Sequence, residues 1–276
     1  MLKKVYLEIT NVCNLRCRFC PGTKRAPRFL TVAEFRTLAE KIRPHSDYLY
    51  FHLMGEPLLH PELESLLSMA GELGFRVILT TNGTLLPQRE ELLLSSAALH
   101  KCNLSLQSFE ANDRGELIDY VNQCVAFARR AGEAGKLCVL RLWNRHGEET
   151  LNQQIMALLH AAFPGEWEET ARGIKLAPRV WLEEGDKFDW PDLDADDRGE
   201  SCFCYGLRDQ VGVLCDGTVV PCCLDHEGDI PLGNLFEQNL EEILASPRAQ
   251  AMRKGFSRRR AVEELCRRCG YARRFG

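Results

Sequence analysis

"VYLEITNVCNLRCRFC", residues 5–20, runs an alternating apolar stretch (5–9) straight into three cysteines, Cys13, Cys17 and Cys20. Alternation with β-branched and aromatic residues predicts a strand. The thiols therefore sit on the loop that leaves its C-terminal end. Downstream the pattern repeats. Helical spacing at 31–42, with Thr31 as N-cap, is followed by the strand "YLYFHLM" (48–54). Helix 61–74 precedes strand 75–81, helix 88–99 precedes "CNLSLQS" (102–108), and helix 116–132 precedes "LCVLRLW" (137–143). Helix 149–161 and "IKLAPRV" (174–180) close the series. Strands alternating with helices predict a parallel sheet with right-handed crossovers. Six such units are too few for a full eight-fold barrel. The expectation is α/β: a partial (β/α)6 TIM-type barrel over residues 1–181, with its ligand site at the C-terminal strand ends. Those ends carry the cysteine loop, "MGEP" (54–57), "TNG" (81–83) and the stretch from Ser105 to Ser108.

Bulk composition excludes several classes. Hydrophobic residues make up 45% and charged residues 27% of 276 positions, an ordinary globular balance. A formal charge of −4 does not advertise a nucleic-acid partner. Charge is uneven: ten Lys/Arg against two acids from Arg248 to Gly276, nine acids against Lys187 and Arg198 from Glu183 to Glu200. Both stretches read as solvated surface. No apolar run is long enough for a membrane span, and the first residues lack a signal-peptide pattern, so a cytoplasmic protein is expected. In a reducing compartment, thirteen cysteines clustered toward the two ends suggest metal rather than disulfides. Cys102, Cys124 and Cys138 stand alone in apolar segments and read as small buried hydrophobes.

Three cysteines with no histidine or fourth cysteine nearby fit zinc poorly. They fit an iron–sulfur cubane with one iron left open to a non-protein ligand. Cys13-x3-Cys17-x2-Cys20, with Phe19 before the last cysteine, resembles the radical S-adenosylmethionine (SAM) superfamily. The resemblance implies that SAM fills the open corner of a 4Fe–4S cluster through its amino and carboxylate groups. One-electron cleavage then gives methionine and a 5′-deoxyadenosyl radical, which takes a hydrogen atom from substrate. "Met54-Gly55-Glu56-Pro57" departs at its first position from the family's Gly-Gly-Glu-Pro, where backbone carbonyls and the glutamate hold SAM's ammonium. Asn82 and Ser105 resemble positions lining SAM and its ribose. Gln107 stands where many relatives have aspartate. Arg141 is a candidate partner for the SAM carboxylate, or else an exposed strand-end arginine.

The acidic segment 182–200 breaks the alternation and reads as a linker. Beyond it, "QVGVLCDGTVVPCC" predicts a β-hairpin turning at Asp216-Gly217, followed by the helix "NLEEILASPRAQAMR" and the closing "CRRCGYARRFG". Cys204, Cys222, Cys266 and Cys269 frame these elements. Such a set suits structural zinc. It also resembles Twitch, the shortened SPASM extension, which implies a second, auxiliary 4Fe–4S cluster in a domain spanning 201–276. Cys202 competes with Cys204 as first ligand; Cys215 and Cys223 read as spare. His52 reads as a satisfied core histidine, His60 as a capping residue, and Asp225 and His226 as loop residues. No catalytic acid or base stands out.

The resemblance implies a radical SAM oxidoreductase acting on a small molecule, with the auxiliary cluster taking the substrate electron and a flavodoxin- or ferredoxin-type protein as reductant. The alternatives are modification of a ribosomal peptide or RNA and, from another class, a zinc-stabilised binding module without turnover.

Overall fold

The computed structural model describes residues 1–112 and 115–275; Gly276, the end of the expected cysteine domain, lies outside them. The N-terminal part alternates β1 (Lys4–Leu7), α1 (Val32–Ile42), β2 (Tyr48–Phe51), α2 (Leu63–Glu72), β3 (Arg76–Thr81), α3 (Leu86–Ser95), β4 (Leu99–Ser105), α4 (Leu117–Glu133), β5 (Leu137–Arg145) and α5 (Asn152–Ala162). Then come β6 (Glu168–Thr170), β7 (Gly173–Ala177) and β8 (Val180–Asp186). The C-terminal part holds β9 (Gln210–Val213), β10 (Thr218–Val220), β11 (Gly233–Asn234), α6 (Leu240–Ala245), α7 (Pro247–Ser257) and α8 (Glu264–Arg267).

These strands form one open sheet in the order β11-β10-β9-β1-β2-β3-β4-β5-β8-β7-β6. From β1 to β5 every neighbouring pair is parallel, and β8 continues the set beside β5. This is the expected partial barrel, left open. Its helices form for local reasons. Thr31 and Glu34 make a capping box that starts α1, and Phe35, Leu38, Ala39 and Ile42 form its buried stripe. One strand face, including Leu7, Leu49, Phe51, Leu79, Leu104 and Leu140, packs fully buried beneath the helices. Cys102, Cys124 and Cys138 belong to this core.

Three expectations need correction. The sixth parallel strand is Val180–Asp186, not 174–180; residues 173–177 pair antiparallel with it as an edge hairpin. The segment expected to be a linker therefore begins as a barrel strand. Strand four ends at Ser105, and Leu106–Ala111 is a 3-10 turn, which moves Gln107 and Ser108 off the strand. The C-terminal helix is two helices. Pro247 cannot continue α6, and Ser246 accepts a hydrogen bond from the Ala249 N–H to start α7. The expected hairpin is present as β9–β10, but β9 also pairs parallel with β1, from Lys4↔Gln210 to Leu7↔Val213. The cysteine-bearing part thus extends the barrel sheet.

Candidate active site

A cleft of about 590 Å³ opens at the C-terminal strand ends. It is lined by Cys13, Cys17 and Cys20 on one side and by Met54, Gly55, Glu56, Asn82 and Ser105 on the other, with Phe19 among its walls. The three thiols sense one another: burial first, then Cys20 and Cys13, push Cys17 up to about 12. Free, they are protonated; a metal cluster would displace those protons. Amide groups already face the sulfurs. The Leu15 N–H lies 3.5 Å from Cys13 Sγ, and Asn82 Nδ2 lies 4.0 Å from the same atom. Converging thiols with N–H donors behind them fit an iron–sulfur cluster.

Glu56 is fully buried, and its carboxylate accepts from the Leu58 N–H (3.0 Å), Thr81 Oγ1 (2.7 Å) and the Asn82 N–H (2.7 Å). It ties the β2 loop to the end of β3 while also lining the cleft. Gly55 has φ +76, and a Cβ there would lie 2.4 Å from the Thr10 carbonyl oxygen, so glycine is required. The departure at Met54 is accommodated: its side chain packs with Tyr6, Leu53 and Val220, and its N–H donates to Glu8 (3.3 Å). Asn82 braces the cysteine loop through Asn14 (2.9 Å) and receives Thr84 Oγ1 (2.7 Å).

Burial raises the Glu56 carboxyl from 4.5 to about 7, against the pull of its three donors. Between those values the folded, cofactor-free protein holds a proton that the unfolded chain releases. Stability should therefore decline as pH rises from about 4.5 to about 7. Glu56→Gln is expected to flatten that decline in pH-dependent urea melts. Glu56→Ala is expected to weaken SAM binding while leaving cluster absorbance intact; unchanged affinity in equilibrium binding would show that the carboxyl does not serve SAM.

Ser105, at the end of β4, lines the cleft. Gln107 and Arg141 do not line this cleft among the described residues; Ser108 does, one position beyond Gln107. Gln107 is buried on the 3-10 turn with Oε1 unpartnered among the described residues. Arg141 faces the barrel interior, ion-paired to Glu183 at 3.0 Å and lying 4.6 Å over the Trp143 ring. It is neither exposed nor at the cysteine loop. His60 does not cap α2, which has no side-chain cap; its Nδ1 accepts from the Glu62 N–H (3.1 Å) in the turn before the helix. His52 is not the satisfied core residue expected: its ring lines the cleft, and its buried Nδ1 has no partner among the described residues.

Two features escaped the sequence reading. Glu8, fully buried just past the end of β1, pairs with Arg25 through both carboxylate oxygens (2.6 and 2.8 Å) and accepts from the Cys215 N–H (3.1 Å). Arg25 also donates to the His226 carbonyl (2.8 Å). One buried ion pair thus joins the barrel, the tail of the cysteine loop and the C-terminal hairpin. Arg25→Met should lower unfolding stability by about 3–5 kcal/mol, since it strands a buried carboxylate; a loss below about 1 kcal/mol in denaturant titration would contradict this role. The second feature is Trp190, in the supposed linker. Its Nε1 donates to the Phe19 carbonyl (2.9 Å) and its ring meets His226 edge-on at 5.5 Å. The readable signal was an aromatic residue inside an acidic run.

Trp190 lines the cleft, and its neighbour Pro191 lines a second, apolar cavity. Around that cavity stand Cys204, Cys222, Cys266 and Cys269, with Cys202 beside them. Burial first, then the other thiols of the set, push Cys222 and Cys266 well up. Cys204 Sγ accepts from the Gly206 N–H at 3.3 Å, whereas Cys202 Sγ lies 3.6 Å from the Phe203 carbonyl oxygen. The cysteines ring a space rather than a point: among the described residues no three His, Cys, Asp or Glu close in tightly enough for a single ion. Cys215 and Cys223 lie outside the ring, beside Arg25 and Tyr6 respectively.

Residues 7–153 match the model of the radical SAM superfamily, and residues 202–270 match that of SPASM, an iron–sulfur cluster-binding domain. A tungsten-containing aldehyde ferredoxin oxidoreductase cofactor-modifying protein of Pyrococcus furiosus is 36% identical over 106 residues, 36% of this chain and 28% of the relative. A GTP 3′,8-cyclase of Microcystis aeruginosa is 33% identical over 124 residues, 41% of this chain and 37% of the relative. The chain thus spans well under half the length of these curated relatives. Among solved structures, BtrN in complex with AdoMet and 2-DOIA superposes with TM-score 0.63 at 19% identity, covering 98% of this chain and 93% of that one. SuiB of Streptococcus suis bound to S-adenosylmethionine gives 0.65 at 16%, covering 92% and 68%. At such identities the likeness speaks for fold. The two domain matches imply a SAM-binding 4Fe–4S cluster, auxiliary cluster binding and SAM itself as cofactors. With more than half of its length matched by that superfamily's model, the chain belongs to the radical SAM enzymes and carries a SPASM-like domain at its C-terminal end.

Proposed function

We propose that this radical SAM enzyme is an oxidoreductase that removes two hydrogens from a small molecule held in the barrel interior. The observation that carries the reading is the four-cysteine ring next to the cleft, parted from it by the adjacent residues Trp190 and Pro191. When bound, the first cluster and SAM would supply a hydrogen-abstracting radical, and the second cluster, with all its protein ligands present, an electron acceptor. Cys13, Cys17 and Cys20 hold the first group; Cys204, Cys222, Cys266 and Cys269 hold the second. Glu56 and Asn82 keep the β2 and β3 loops in place around SAM. The Glu8–Arg25 pair keeps the two sites in fixed relation. Trp190 shields the cleft from solvent on the side of the cysteine domain. A flavodoxin- or ferredoxin-type protein serves as reductant.

Anaerobic turnover by the fully loaded protein in a deuterium-labelled metabolite extract tests this. Deuterium in 5′-deoxyadenosine, one SAM consumed per substrate, and a product lighter by two hydrogen isotopes are expected. A product of unchanged mass, or SAM regenerated during turnover, would overturn the reading.

A further inference from the structure

Packed (β/α) barrels fill their interior with branched aliphatic side chains. This interior is filled differently. Its inward-facing positions include Tyr6, Tyr50, His52, Lys101, Asn103 and Arg141. Strand register sets Tyr6, Tyr50, Ile78 and Lys101 side by side, and places Ser105, Arg141 and Glu183 in a row nearer the cleft. Tyr6 meets Tyr50 at 4.9 Å and His52 at 5.1 Å between ring centroids. Among the described residues, His52 Nδ1, Asn103 Oδ1 and Trp143 Nε1 are buried without hydrogen-bond partners. Asn103 is only 1% exposed. Buried polar atoms left unpaired are unfavourable unless a ligand or water completes them. The cleft reaches down to His52, Thr80 and Ser105, the positions that this face shares with it.

Charge selects the molecule. The Lys101 ammonium makes no hydrogen bond or ion pair among the described residues. Burial first, then the Arg141 guanidinium, hold it down at about 8. Glu183 acts in the opposite sense, but it is already paired with Arg141. Lys4, exposed at the start of β1 with its ammonium 5.9 Å from the Tyr50 ring centroid, adds a weaker positive contribution from the rim. Cations therefore outnumber carboxylates on this face, inside a partly dry enclosure where the imbalance is felt strongly.

We propose that the barrel interior binds its substrate through an anionic group, a carboxylate or a phosphate, held by Lys101 and Arg141. The proposal rests on the interior being the substrate site. Lys101 lies four residues before Ser105 on β4, about 13 Å along the strand. An acid anchored by the Lys101 side chain therefore presents carbons several bonds away to the cleft where SAM sits. The fixed cations set which end of the molecule faces the radical, and Tyr50, His52 and Asn103 offer hydrogen bonds along its length.

Titration of inorganic phosphate and, separately, acetate into the cluster-loaded, SAM-bound protein tests this without knowledge of the substrate. Saturable binding of at least one is expected: phosphate alone points to a phosphorylated substrate, acetate alone to a carboxylic acid. Lys101→Met should weaken that binding about tenfold or more. Lys101→Arg, which keeps the charge and guards against a folding artefact, should stay within about threefold of wild type. Lys175→Met, on the exposed edge hairpin, should match wild type. No binding of either anion, or equal affinity in wild type and a folded Lys101→Met, overturns the proposal. Charge-dependent binding in a protein whose loaded wild type forms no 5′-deoxyadenosine would instead overturn the oxidoreductase reading and leave the anion site standing.

Discussion

A Cys17→Ala protein, reconstituted with iron and sulfide and reduced, is expected to form 5′-deoxyadenosine only at the assay background. Cys13, Cys17 and Cys20 line the cleft together, and each feels the thiols beside it or the burial they share. Ser108, which hydrogen-bonds Cys17, is a poor substitute ligand for iron because its hydroxyl is hard and not ionised. The fall should exceed about a hundredfold, beyond what removal of an outer-shell partner does at a metal site. The same should hold for Cys13→Ala and Cys20→Ala. Formation of 5′-deoxyadenosine at the wild-type rate by folded Cys17→Ala would remove the basis for assigning the loop.

The second large effect concerns the C-terminal ring. Two full clusters need about eight irons per chain, and a Cys266→Ala/Cys269→Ala double variant should keep about four. It should still cleave SAM, because the first three cysteines are untouched. It should fail at oxidative turnover, because the electron left on the substrate has no acceptor. The α8 segment that carries Cys266 is short, and it is held to the rest by Arg248–Glu263 (2.8 Å) and by the Gly270 N–H on the Asp189 carbonyl (3.1 Å). Binding energy at such a site is also folding energy, so circular dichroism has to accompany the activity assay. Wild type with about four irons and one zinc would make the ring a structural cap. Normal turnover by the folded double variant would make the second cluster dispensable for chemistry.

Both cysteine sets and the barrel were legible because their signals are local. Period-two and helical spacing recur within windows of a dozen residues, and Cys13-x3-Cys17-x2-Cys20 lies within a single loop. Element ends were less legible. Ser105 ends β4 because the chain turns into a 3-10 segment there, while "LSLQS" alternates smoothly through it. The acidic stretch from Glu183 looks like linker because charge dominates its composition. Its first residues nonetheless complete the sheet through backbone bonds to β5, which side-chain pattern does not register.

The amino-acid order by itself determined which chemistry the chain can support: three thiols on one strand-end loop, four more around a hairpin and helices, and six parallel strands to carry them. Only the tertiary structure decided how these parts meet. Trp190 reaches the Phe19 carbonyl across 171 residues, Glu8 receives the Cys215 amide across 207, and Arg141 turns inward to Glu183 across 42. No local period encodes such pairings, because each depends on β9 docking beside β1 and β8 beside β5. The cationic barrel interior has the same origin: Lys101 is an unremarkable strand residue until sheet curvature turns its face toward Tyr50 and Arg141 and away from water.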